Sequence, residues 1–187
     1  MRPIALIGPQ GSGKTTLASH LEESGGYHRL GIADAIKQVT RFAYPAIAKG
    51  DEFTVLGYDG PRKVSGREVF QEVGAALREF DREFWLRVWR QGYNELSIRR
   101  LPVVVDDVRL EREVEYLREV DPTFLVVRLY ADPESRAHRL GGSLLGSGDV
   151  TEHSWHQAPY DLTLDTTSLS VENVYRAVIE AALEGRV

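Results

Sequence analysis

Residues 8–15, Gly8-Pro9-Gln10-Gly11-Ser12-Gly13-Lys14-Thr15, have the types and spacing to hold a polyphosphate. They match G-x-x-x-x-G-K-[ST] without a gap. Glycines let successive backbone N–H groups curl around an anion, and the positive end of a following helix adds to the field. A lysine at Lys14 can reach the outer phosphates, and a hydroxyl at Thr15 can ligate Mg²⁺. A glycine-rich turn carrying a chance lysine is the plain alternative. Context decides against it, because an apolar stretch, Pro3 to Ile7, precedes the loop and a helical pattern, Lys14 to Ser24, follows it.

A second acidic element stands at Asp106-Asp107, directly after the apolar run Pro102 to Val105. Open α/β sheets bind ligands beyond the carboxyl ends of their strands, so either carboxylate is placed to hold Mg²⁺. A helix N-cap pair is the structural alternative. Arg109 follows two residues later. Farther on, Arg136 and Arg139 are three apart, on one helical face, just before a glycine-rich run from Gly141 to Gly148. The spacing predicts either a solvated face or a mobile lid. No carboxylate or cysteine pattern completes a metal site around His138, His153 and His156, which read as surface or capping residues.

Taken in order, these pieces resemble the phage-type deoxynucleoside monophosphate kinases, relatives of adenylate kinase and dephospho-CoA kinase. The resemblance rests on the phosphate loop, Ala33-Asp34-Ala35-Ile36-Lys37, Gln71-Glu72-Val73-Gly74, Trp85, Asp106-Asp107-Val108-Arg109, the Arg136/Arg139 pair, Glu152-His153-Ser154, and Asp161 through Leu169. It departs near His153, where the group carries His-x-Ser-Glu and this chain has His153-Ser154-Trp155-His156.

The resemblance implies roles residue by residue. Gly11, Ser12, Gly13, Lys14, Thr15 and Thr16 would surround the phosphates of ATP, with Asp165, Thr166 and Thr167 in the loop beside its adenine. Thr15, Asp106 and Asp107 would hold Mg²⁺. Asp34, Lys37 and Arg41 would face the acceptor monophosphate, with Gln71 on its base and Trp85 near base or sugar. Arg109 would clamp the transferring phosphates, and Arg136 and Arg139 would act from a lid. The expected activity is in-line transfer of a phosphate from ATP to a deoxynucleoside monophosphate. Two readings compete with it: another small-molecule kinase, such as one for dephospho-CoA, and a nucleotide-dependent switch. The Asn-Lys-x-Asp and Asp-x-x-Gly motifs common in GTP switches are absent.

Each acceptor-side role has a structural competitor. Asp34 and Lys37 have the spacing of a plain helical ion pair, and Trp85 and Trp89, four apart, have that of core packing. Gln71 lies among Val69, Phe70 and Val73, which predicts a partly buried amide in need of partners.

The elements that must position these residues follow from periodicity. Apolar strands at Pro3–Ile7, Pro102–Val105, Thr123–Leu129 and Leu162–Leu164 alternate with helical stretches. Those stretches are Ala33–Tyr44, Ser65–Phe80, Arg82–Arg99, Glu111–Val120, a segment opened by Pro133, and Val171–Glu184. Ser65 with Glu68 forms a capping box, and Asp51 to Lys63, rich in Gly, Pro and Asp, reads as a mobile surface loop. The expected fold is α/β, a doubly wound, five-stranded parallel sheet with helices on both faces and a short lid. Length suits a single domain over 1–187, with acceptor-binding helices at about 33–99 and a lid at about 136–153.

Bulk properties narrow the partners. Net charge is −5, whereas a duplex-binding surface is normally basic, so the expected partner is a small molecule rather than nucleic acid. There is no cysteine, which excludes disulfides and thiolate catalysis. The opening apolar run is too short for a membrane span or a signal peptide, so the chain is expected in a cytoplasm, that of a host if phage-encoded. A homodimer is left open.

Overall fold

The computed structural model describes residues 1–142 and 156–184. The chain opens with β1 (Ile4–Ile7), α1 (Lys14–Gly25), β2 (His28–Arg29) and α2 (Ile32–Ala43). Next come β3 (Glu52–Gly57), β4 (Gly60–Ser65), α3 (Gly66–Phe80) and α4 (Phe84–Ile98). The remainder is β5 (Val103–Val105), α5 (Glu111–Val120), β6 (Leu125–Tyr130), α6 (Pro133–Arg139), β7 (Leu162–Asp165) and α7 (Val171–Glu184). These form two compact units, Met1–Gly31 with Arg90–Val187, and Ile32–Trp89. The second falls within the region expected to bind the acceptor.

In the first unit every residue of β1 is fully buried. Successive strand side chains point to opposite faces, so such a strand must be covered on both sides. It lies at the centre of a parallel five-stranded sheet of order β2-β5-β1-β6-β7. On one face Leu17, Ala18 and Leu21 of α1 and Val174, Val178 and Ala182 of α7 pack against Ile4, Leu6, Val104, Val127 and Leu129. The intervening residues Ala5, Ile7, Val103, Val105 and Val126 point the other way and are as deeply buried, as are Val114 and Leu117 of α5. The sheet thus carries helices on both sides, as the sequence pattern predicts. No helix among the described residues is long and apolar enough to cross a membrane.

In the second unit, Ile47, Val64, Val69 and Phe70 make a separate small core, joined by Ile36, Phe53, Val55 and Val73. The expected capping box is present: the Glu68 N–H donates to Ser65 Oγ at 3.2 Å, and the Ser65 N–H donates to Glu68 Oε2 at 2.6 Å. The expected surface loop at 51–63 is instead the antiparallel hairpin β3–β4, with Gly57 paired to Gly60 across the two-residue turn Tyr58-Asp59. Its Gly and Asp are the turn residues of a tight hairpin, and the alternation of half-buried Phe53 and Val55 with exposed Glu52, Thr54 and Leu56 is that of a one-sided strand. Pro61 costs little, since a two-stranded ribbon is all edge.

The turn from α5 into β6 is held by one carboxylate. Asp121 Oδ1 accepts from the Thr123 N–H at 2.8 Å and its hydroxyl at 2.6 Å, while Oδ2 accepts from the Tyr93 hydroxyl at 2.5 Å. Burial pushes the Asp121 carboxyl up, but the bonds from Thr123 and Tyr93 outweigh it and hold the group below the usual carboxylate range. Burial first, and then the neighbouring carboxylate, push the Tyr93 phenol well up. A depressed folded-state pKa contributes stability that is full above the unfolded value of about 3.9 and is lost as pH falls through the folded one. Asp121→Asn should therefore destabilise the protein at neutral pH by about 1 kcal/mol. Its thermal melts should begin to converge on those of the wild type as pH falls below about 3.9 and on through the lower folded-state value. A constant gap across that window would show that ionisation of Asp121 is not what stabilises the turn.

Candidate functional site

The phosphate loop leaves β1 through a backbone that only glycine tolerates. Gly8 has φ 138°, and a Cβ there would stand 2.1 Å from the Leu129 carbonyl oxygen of β6. Gly11 has φ 79° and would press its Cβ to 3.0 Å from Cβ of Arg136. The loop therefore lies directly against β6 and α6.

A loop that turns its N–H groups inward turns its carbonyls outward, and those need donors. Each carbonyl from Gly8 to Ser12 has a side-chain donor. Lys14 Nζ donates to Gly8 O at 2.7 Å and to Pro9 O at 2.8 Å. Arg136 Nη1 reaches Gln10 O at 3.3 Å, Arg139 Nη1 reaches Gly11 O at 3.1 Å, and the Thr166 hydroxyl reaches Ser12 O at 3.0 Å. Arg139 also grips the carbonyl of Thr166 through Nη2 at 2.5 Å, and the Thr166 N–H donates to Tyr130 O at 2.7 Å. Two buried polar atoms of this assembly, Ser12 Oγ and Arg136 Nε, have no protein partner.

Arg136 and Arg139 were expected on a lid. In this structure they sit on α6, opened by Asp132 as N-cap with Pro133 in the first turn, and hold the phosphate loop itself. The glycine-rich run after them and the Glu152-His153-Ser154 segment lie outside the described residues, apart from Gly141 and Gly142. Asp165 is occupied in shaping its own turn: its Oδ1 accepts from the Thr167 N–H at 2.8 Å. Bonds from the Thr167 hydroxyl and N–H hold its carboxyl below the usual range. Thr167 Oγ1 in turn accepts from the Asp132 N–H at 3.0 Å, tying this turn to the start of α6. Beside Thr166 lies a cavity of about 200 Å³, lined by Gly13, Thr16, Arg139, Thr166, Leu169 and Val174 among others.

At the end of β5, Asp106 is 4% exposed and its neighbour Asp107 half-buried. The Thr15 hydroxyl donates to Asp106 Oδ2 at 3.0 Å, bringing together two of the residues expected to hold Mg²⁺. A hydroxyl and a carboxylate are hard oxygen donors of the kind that cation takes, so the residues fit it. The capping alternative for the acidic pair falls away, because the N-cap of α5 is Leu110 and the amides of Arg109 and Leu110 are served by Glu113 Oε2 at 2.7 and 3.0 Å. The Arg109 side chain is exposed.

Asp106 also accepts a two-pronged contact from Arg29, Nε to Oδ1 at 2.9 Å and Nη2 to Oδ2 at 2.8 Å. Sequence reasoning missed Arg29 because β2, which carries it, has two residues, too few for any periodicity. The available signal was a short stretch, Tyr27 to Leu30, bounded by Gly26 and Gly31.

The acceptor-side residues lie in the second unit. Lys37 Nζ pairs with Asp34 Oδ1 at 2.5 Å on an exposed face of α2, as the three-residue spacing allows, and Arg41 is exposed one turn on. Gln71 is exposed on α3, so the buried amide expected there is not found; Val69 and Phe70 face the core and Gln71 lies off that stripe. Trp85 is 2% exposed, and its indole N–H donates to Gly74 O at 2.9 Å. Its single donor is spent inside the unit, the arrangement of a core residue, and Trp89 is equally buried.

A parallel sheet with a Gly8–Thr15 phosphate loop at the end of its central strand defines a P-loop nucleotide-binding fold. The family whose model is described as an AAA domain (AAA_18) matches residues 4–144, and the chain belongs to that family. None of the curated proteins matches the sequence. Among solved structures, the chain is similar to the APS kinase CysC of Mycobacterium tuberculosis in complex with AMPPNP and APS, at 18% identity and a TM-score of 0.59 over 98% of both chains. It is similar to a gluconokinase from Sinorhizobium meliloti 1021 at 18% identity and 0.55, over 98% of this chain and 92% of that one. A shikimate kinase from Acinetobacter baumannii in complex with shikimate gives 19% and 0.55, over 100% and 96%.

The Thr166 hydroxyl, buried and shared between Ser12 O and Tyr130 O at 3.0 Å each, links loop and sheet. Thr166→Val keeps its shape and deletes that link, so it should cost about 1–3 kcal/mol in denaturant unfolding. Thr166→Ser should recover most of it. Equal stability of all three proteins would show that the hydroxyl is not what ties them.

Proposed function

We propose that the chain transfers the terminal phosphoryl group of ATP to a small-molecule acceptor, and that the acceptor is a deoxynucleoside monophosphate. The observation that carries the transfer is the Thr15 hydroxyl held against the buried Asp106 carboxylate at the mouth of a complete phosphate loop. The cavity by Thr16, Thr166 and Leu169 lies next to Gly13 and is offered to the nucleoside of ATP.

In this reading Lys14 exchanges its contacts with Gly8 O and Pro9 O for the outer phosphates of ATP. Thr15 and Asp106, with Asp107 beside them, hold Mg²⁺, which when bound neutralises phosphate charge and orients the outer phosphates. Arg136 and Arg139 keep the loop's carbonyls occupied, so that its N–H groups stay turned toward the anion. An acceptor that is itself an anion at neutral pH needs no general base. The protein must hold two anions together and exclude water, and arginines suit that task. Solved neighbours are named for acceptors as different as APS, gluconate and shikimate. The deoxynucleotide reading draws its support from the ordered segments Ala33–Lys37, Gln71–Gly74 and Asp106–Arg109.

Lys14→Ala should lower kcat by about 100-fold or more, on the scale of losing a transition-state donor, with an unchanged circular dichroism spectrum. Near-wild-type turnover in the folded variant would refute the loop's role. The acceptor is tested by ADP release across deoxy- and ribonucleoside monophosphates, dephospho-CoA, gluconate, shikimate and APS, against buffer alone. Preferred turnover of deoxynucleoside monophosphates is the expected result. Preference for another acceptor would reassign the substrate, and equal turnover in buffer alone would favour a nucleotide-hydrolysing switch.

A further inference from the structure

Arg29 sits where a metal-binding carboxylate is aimed. The His28 N–H donates to Pro102 O at 2.8 Å and the Leu30 N–H to Val104 O at 3.0 Å, which sets β2 in register on β5 with Arg29 opposite Val104. That register places the Arg29 guanidinium beside a carboxylate two residues farther along the neighbouring strand. Both oxygens of Asp106 are engaged: Oδ1 by Nε at 2.9 Å, and Oδ2 by Nη2 at 2.8 Å together with the Thr15 hydroxyl at 3.0 Å. The Asp106 side chain is 3% exposed and that of Arg29 35%, so the carboxylate is out of water while its partner stays partly hydrated.

A planar fork does what a point charge does not: two parallel N–H donors fix the plane of the carboxylate as well as its position. A lone ammonium would neutralise Asp106 yet leave it able to turn about its own bond. We infer that Arg29 is a positioning residue, whose two-pronged grip on Asp106 aims the Oδ2 edge at Thr15 and so sets the affinity for the divalent cation that accompanies the nucleotide. This rests on the reading that Thr15 and Asp106 hold Mg²⁺.

The test is binding of a fluorescent ADP analogue, titrated in EDTA and then over a range of Mg²⁺ concentrations, for the wild type and for Arg29→Lys. The wild type should bind more tightly as Mg²⁺ rises, with a definite half-point. Arg29→Lys keeps the charge and loses the fork. It should bind the analogue in EDTA as the wild type does, because the phosphate loop is untouched, while its Mg²⁺ half-point rises by about 10–100-fold. An unchanged half-point would make Arg29 a mere counter-charge and overturn the inference while leaving the metal reading intact. A wild type whose binding ignores Mg²⁺ would overturn both. Arg29→Gln, which keeps a planar polar group without the charge, is read in the same way should the lysine variant fail to fold: a raised half-point supports the fork, and a wild-type value overturns it.

Discussion

A loop wrapped around an anion is an incomplete object: its N–H groups face the ligand and its carbonyls face the protein. In this chain those carbonyls set the demands that the surrounding structure meets. Lys14 comes from the helix the loop opens, Arg136 and Arg139 from α6, and the Thr166 hydroxyl from the turn after β7. A buried carbonyl without a donor costs about 1–3 kcal/mol, and the fully buried contact of this set is that of the Thr166 hydroxyl with Ser12 O. The pairing of β7 with β6 and the capping of α6 by Asp132 thus place the donors that the phosphate loop needs.

The second constraint is charge. Asp106 is buried at the end of a strand flanked by others on both sides, so its carboxylate needs partners within the protein. Sheet order resolves this. With β5 between β1 and β2, one neighbour delivers Thr15 at the start of the helix after β1, and the other delivers Arg29. From β1 the chain crosses to the edge strand β2, returns inward to β5, and then passes over β1 to β6 and β7. The connections after β1 and β5 thus leave in opposite directions, and a crevice at such a reversal is where open α/β sheets bind ligands.

Much of this is legible in the sequence where a signal is long or locally constrained. The helices α5 and α7 follow from their apolar periodicity, α3 from its capping box, and the loop from eight contiguous residues. What escapes is short or depends on distant partners. A two-residue strand has no period, so β2 and with it Arg29 are invisible. The hairpin looks like a loop because its turn residues outweigh its short apolar alternation. Position along α3 shows that Gln71 is helical without showing that it points to solvent, and a tryptophan's aromatic face says nothing of whether its N–H is already spent, as that of Trp85 is on Gly74. The spacing of Arg136 and Arg139 is correct for a shared face, but only the fold shows that this face meets the backbone of the loop.

The electrostatics also explain why an acidic chain can hold a polyanion. A net charge of −5 works against long-range attraction, but at physiological salt fields are screened within about 8 Å, so the local arrangement governs binding. Around the loop that arrangement is cationic and donor-rich, with Lys14, Arg136 and Arg139 all in contact with its backbone. Arginine fits the supporting positions better than lysine because one guanidinium serves several acceptors in fixed directions: Arg139 alone meets Gly11 O, Thr166 O and Thr166 Oγ1. Lysine is found at Lys14, where a flexible stem lets one charge meet the carbonyls of both Gly8 and Pro9, the contacts it gives up to phosphate in the proposed function. The division of labour follows from geometry: the fixed forks of Arg136 and Arg139 hold the scaffold, while the flexible Lys14 is the charge suited to move.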